Sequence, residues 1–80
     1  RCLDLEQVTW LLPEDPTAEL RASVQVRSRH RPARASIRPL PGRRAEVQLD
    51  EPVSAPAPGQ AAVFYDGERV LGGGWIVRAS

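Results

Sequence analysis

Apolar and polar residues alternate along much of the chain. From Glu19 to Arg27 the alternation is strict: Leu20, Ala22, Val24 and Val26 share one side, and Glu19, Arg21, Ser23, Gln25 and Arg27 the other. A helix would set Leu20 and Ala22 roughly on opposite sides, so this spacing predicts a strand with one wet face. Ala33, Ala35 and Ile37 against Arg34, Ser36 and Arg38 predict a second strand. Ala45, Val47 and Leu49 against Arg44, Glu46, Gln48 and Asp50 predict a third, with Leu40-Pro41-Gly42 turning between them. Such half-buried strands pair antiparallel.

Shorter apolar runs complete the pattern. Cys2–Leu5 and Val8–Leu12, the latter ended by Pro13, open the chain. Val63–Tyr65 and Glu68–Leu71 flank Asp66-Gly67, which reads as a two-residue hairpin loop of type I′. Glu51 to Gly59 is a loop rich in Pro and Ala, and Trp75–Val77 after Gly72-Gly73-Gly74 is a last strand. A sheet this small must hide its edges, and closure does so. The expected fold is therefore all-β: a small antiparallel β-barrel of six or seven short strands, with residues 1–80 forming one domain.

Composition narrows this further. Eight Pro and six Gly leave no room for a long helix. Nothing approaches the roughly 20 consecutive apolar residues of a transmembrane helix, and there is no basic-then-apolar signal segment. With ten Ala and four aromatics, the apolar residues suffice for one small core. A single Cys excludes an internal disulfide and every multi-Cys zinc pattern. The chain begins at Arg1 and contains no Met, which suggests a fragment, a domain cut from a larger protein.

The formal charge of +1 conceals a strong asymmetry. Between Arg21 and Arg44 there are eight Arg and no acid, while the rest holds three Arg and all ten acids, so the segment carries +8 and the remainder −7. The chain has no Lys, so some of the Arg content reflects a general preference for Arg. That preference does not explain why acids avoid the segment. A cationic face of this kind suits a polyanion.

The last third carries a recognisable signature: Pro58-Gly59-Gln60, an apolar strand, Tyr65-Asp66-Gly67, then Leu71-Gly72-Gly73-Gly74 and Trp75. It resembles the end of the tRNA-specific 2-thiouridylases. Val8-Thr9-Trp10 is similar to that family's first barrel strand, Asp50-Glu51-Pro52 to its acidic turn, and Arg27-Ser28-Arg29-His30-Arg31 to its basic segment. The chain departs from the family pattern at Ser28, His30 and Pro32, where Ile, Tyr and Gln are usual. The resemblance implies a cytoplasmic enzyme that installs sulfur at the 2-position of the wobble uridine. ATP, with Mg, and the catalytic cysteines would sit in domains outside this barrel. The barrel would grip tRNA, pack with the catalytic domains of the same chain, have no chemistry of its own and avoid membranes. A sulfur-donor relay protein is a further implied partner.

Individual residues follow. Arg27, Arg29, Arg31, Arg34 and Arg38 are the tRNA-contact candidates, because guanidinium forks suit phosphate oxygens. His30, Arg21, Arg43 and Arg44 form a second set of candidates. Some of these arginines are expected to pair instead with Glu19, Glu46 or Asp50 across strands. No catalytic or metal-binding residue is expected. Cys2 reads as a small structural residue, since nothing around it marks a reactive thiol. Gly72-Gly73-Gly74 lacks phosphate-loop spacing and reads as close backbone packing or a bulge. Gln60 reads as a cap on the Pro58-Gly59 turn. Trp10, Phe64, Tyr65 and Trp75 are needed first for the core, with Phe64 and Tyr65 facing opposite sides. A competing reading is a protein-interaction barrel that docks against neighbouring domains or a sulfur donor, with the acidic remainder as its contact surface.

Overall fold

A computed structural model describes residues 2–26, 32–51 and 57–80. It contains six strands: β1 (Cys2–Trp10), β2 (Leu20–Val26), β3 (Ala33–Leu40), β4 (Arg44–Leu49), β5 (Ala61–Asp66) and β6 (Arg69–Ala79). They close into an antiparallel barrel in the order β1-β4-β3-β2-β5-β6. β2, β3 and β4 form a meander. The β1–β2 and β4–β5 connections instead join strands that are not neighbours. Among the described residues no helix is long and apolar enough to cross a membrane.

The predicted alternation becomes the wall of the barrel. Ala22, Val24 and Val26 of β2, Ala35 and Ile37 of β3, and Ala45, Val47 and Leu49 of β4 all point into the core. Leu3, Leu5 and Val8 of β1, Ala62 and Phe64 of β5, and Leu71 and Ile76 of β6 complete it. No polar or charged residue is buried among those described. Phe64 is the largest fully buried side chain, and Trp10 packs on it with ring centroids 5.3 Å apart. Tyr65, its neighbour, lies on the other face and is half-buried, as the pleat requires.

Three details differ from the sequence expectation. The two short runs at the front are one strand, because a bulge between Glu6 and Thr9 carries β1 onward past Gln7, whose φ is 54°. The bulge shifts the inward parity from Leu3 and Leu5 to Val8. The runs on either side of the triple glycine are likewise one strand, β6, with a register shift opposite Phe64 and Tyr65. The hairpin loop lies one residue later than expected: Asp66 pairs with Arg69, so Gly67 and Glu68 make the turn. Of these two only Gly67 has positive φ, at 62°. That excludes type I′, which needs positive φ at both central residues, and fits the first-position glycine of type II′.

The triple glycine lets β6 lie tightly between β1 and β5. A Cβ on Gly72 would collide with the Thr9 carbonyl oxygen, and one on Gly73 would sit 2.5 Å from that of Ala62. Close packing or a bulge was expected here, and both are present. Ala57-Pro58-Gly59-Gln60 forms a turn in which the Gln60 amide donates to the Ala57 carbonyl at 3.3 Å, with Gly59 at φ 92°. Pro then Gly with positive φ at the two central positions is the type II pattern. The Gln60 side-chain oxygen also accepts from the Ala57 amide at 2.8 Å, the capping role expected of it.

Candidate nucleic-acid interface

The outer face of β2, β3 and β4 gathers polar and cationic side chains. Because β2 and β3 alternate in step, Arg21, Arg34 and Arg38 all point away from the core. Arg34 and Arg38 are four residues apart on one strand, which sets their Cα atoms about 13 Å apart. Arg34 lies opposite Ser23, at the end of the β2–β3 hairpin nearest the segment that joins the two strands. That segment carries Arg27, Arg29, His30 and Arg31. These four candidates lie outside the described residues.

The described arginines have different partners. Arg21 makes a forked contact with Asp50, at 2.7 and 2.5 Å, and donates to the Ser36 hydroxyl at 3.0 Å. The hydrogen bond to Asp50, with Coulomb attraction from Asp50 and Glu19, raises the Arg21 pKa above its ordinary value, while desolvation pulls the other way. Arg38 pairs with Glu46, its register partner on β4, at 2.8 Å. Both pairs are among the cross-strand partners expected from sequence, and both are exposed, so a phosphate can compete for the guanidinium. Arg34 donates to the Ser23 hydroxyl at 3.3 Å and has no ion pair among the described residues. It is the described cation of this face with the most donor capacity left over.

Arg43 closes the β3–β4 turn, Arg44 opens β4, and both are held locally. Arg43, at φ 56°, donates to the Val8 carbonyl and the Thr9 hydroxyl, and its own carbonyl accepts from the Val8 amide at 2.8 Å. It thus braces the β1 bulge. Arg44 donates to the Pro41 carbonyl at 3.0 Å.

The remaining residues singled out by sequence have structural positions. Cys2 is half-buried at the start of β1, with its backbone paired to Ser80 in both directions at 2.9 Å. Among the described residues no group of three His, Cys, Asp or Glu side chains could hold a metal. Trp75 is exposed on β6. A second surface, not foreseen from sequence, is the apolar outer face of β5 and β6. Its signal is in the chain: residues 61–65 and 70–77 carry no charge, so both faces of these strands are apolar.

The six strands close into a barrel with the triple glycine inside the last of them. The chain matches the aminomethyltransferase beta-barrel domain family over residues 1–76 and belongs to it. It is 51% identical over 72 residues to the tRNA-specific 2-thiouridylase MnmA of Acidobacterium capsulatum, covering 85% of this chain and 19% of the relative. It is 54% identical over 74 residues to MnmA of Paramagnetospirillum magneticum, covering 92% and 19%. For MnmA of Magnetococcus marinus the figures are 45% over 75 residues, 94% and 21%. The resemblance seen in the sequence motifs thus extends over nearly the whole chain. The chain itself spans about a fifth of the length of these relatives.

Proposed function

We propose that this barrel is the C-terminal tRNA-contacting domain of a tRNA-specific 2-thiouridylase, an enzyme that uses ATP to place sulfur at the 2-position of the wobble uridine. In this reading ATP with its Mg, the cysteine chemistry and any sulfur-donor relay belong to the parts of the enzyme outside this chain. The barrel contributes grip and no reacting group. The observation that carries the proposal is the outer face of β2 and β3. Arg34 stands there without a carboxylate partner among the described residues, beside a connection that holds three more arginines. Such contacts position a sugar–phosphate backbone and do not read its bases.

The test uses the full-length enzyme, with Arg27, Arg29, Arg31 and Arg34 replaced together by Ala. If these four side chains engage about four phosphates, log affinity for tRNA falls against log salt with a slope about 3 to 4 shallower in the variant. ATP consumption without tRNA stays unchanged. An unaltered salt slope overturns the proposal.

A further inference from the structure

The outside of the barrel has two unlike halves. On β2, β3 and β4 the outward residues are mainly Arg, Ser, Gln and Glu. On β5 and β6 they include Ala61, Val63, Val70, Trp75 and Val77, with Leu11 beside them. Leu11 is 61% exposed, Trp75 48%, Val77 45% and Val70 38%. Gly72, Gly73 and Gly74 put no side chain over the middle of this half. The result is an open trench of about 330 Å³, walled by Thr9, Leu11, Val63, Val70 and Trp75. Among the described residues no charged side chain lines it.

We propose that this trench is the docking surface for the rest of the same polypeptide, which places an apolar loop or helix face of a preceding domain against Leu11, Val70 and Trp75. The inference rests on reading the chain as one domain of a longer enzyme. Three observations select this occupant. A phosphate backbone needs cations, and no described cation lines the trench; Glu6, the register partner of Trp75, adds an acid at its margin. The barrel is closed, so a partner cannot add a strand to an open edge and must present side chains. Finally, the relatives are about five times longer than this chain. Tethered polypeptide meets the trench at an effective concentration of up to about millimolar, which favours it over a free partner or a second copy. Apolar patches rimmed by polar residues are the usual mark of such contacts. The trench and the cationic face lie on different strands, so the barrel can be held by its own enzyme on one side and meet tRNA on the other.

Thiol labelling of the full-length enzyme tests this. Leu11→Cys and Val70→Cys probe the trench, and Arg38→Cys, exposed on β3 and away from Cys2, is the reference. Maleimide incorporation is read peptide by peptide by mass spectrometry, at low protein concentration and without tRNA. The reactivity of natural Cys2 reports whether each variant keeps the barrel folded. Given unchanged Cys2 reactivity, the thiols introduced at positions 11 and 70 label at least about tenfold more slowly than the thiol at position 38, because the docked surface must open first. Equal rates overturn the proposal. So does protection that appears only as protein concentration rises, which means a second copy, or only when tRNA is added, which means an RNA surface. Slow labelling in an enzyme without tRNA affinity upholds the docking and removes the tRNA reading alone.

Discussion

Replacing Gly73 by Ala isolates the steric claim on which closure of the barrel depends. Gly73 pairs with Val63 on one side and Thr9 on the other. An added Cβ lies 2.5 Å from the Ala62 carbonyl oxygen and 3.3 Å from the Val63 Cα, both backbone atoms of a strand held from two sides. Ordinary contact begins at 3.4 Å, so β5 and β6 must part locally by about 0.9 Å. A hydrogen bond near 2.9 Å stretched that far is lost. Overpacking of this kind costs about 1–3 kcal/mol, and one lost ladder bond adds about 1 kcal/mol. The expected destabilisation is about 2–4 kcal/mol, which at about 4–8 °C per kcal/mol lowers Tm by roughly 10–30 °C. Thermal unfolding followed by Trp fluorescence measures it, since Trp10 packs on Phe64 beside this strand. Gly67→Ala is the comparison: φ is 62° but a Cβ there meets nothing within 4 Å, so only the left-handed backbone cost of about 1–2 kcal/mol applies. Strand propensity alone makes the opposite prediction for Gly73, a gain of about 0.5–1 kcal/mol. A Gly73→Ala protein as stable as the parent, or more stable than Gly67→Ala, refutes the packing argument.

Other outcomes follow from the same structure. Phe64→Ala removes the largest buried side chain and its contact with Trp10; denaturant titration is expected to show a loss of about 3–5 kcal/mol. Ile37→Val, also in the core, costs only about 0.5–1.5 kcal/mol by the same assay. Arg34→Ala weakens tRNA binding by the full-length enzyme more than Arg38→Ala does, because Arg38 already spends its charge on Glu46; equal losses in a binding titration contradict this. Gln60→Ala frees the Ala57 amide from its side-chain partner and lowers stability by about 0.5–1.5 kcal/mol, again by denaturant titration.

Alternation made β2, β3 and β4 legible because each keeps strict parity through its core-facing positions, with one face in the core and one in water. β1 and β6 each looked like two strands for a physical reason. A bulge adds a residue, so the inward set runs Leu3, Leu5, Val8 rather than at every second position, and periodicity breaks where the strand does not. The triple glycine read as close packing or a bulge but not as the interior of a strand, since a stretch without side chains shows no alternation. The ion pairs of Arg21 and Arg38 were foreseeable only as a choice among acids. Their partners depend on register, which sets Glu46 against Arg38. The apolar face of β5 and β6 was hidden for another reason: in so small a chain every apolar residue is first assigned to the core, and only the closed barrel shows that Val70, Trp75 and Val77 lie outside it.

On the proposed function, tRNA meets the β2–β3–β4 side of the barrel and not the β5–β6 side. Site-specific photocrosslinking in the full-length enzyme tests it most directly. A benzophenone side chain replaces Gln48, which lies outward on β4 opposite Ser36, or in a separate variant Val70 on β6. Adducts with tRNA are expected from position 48, lost in high salt, and none from position 70. Adducts from position 70, or none from position 48 while tRNA is bound, would contradict it.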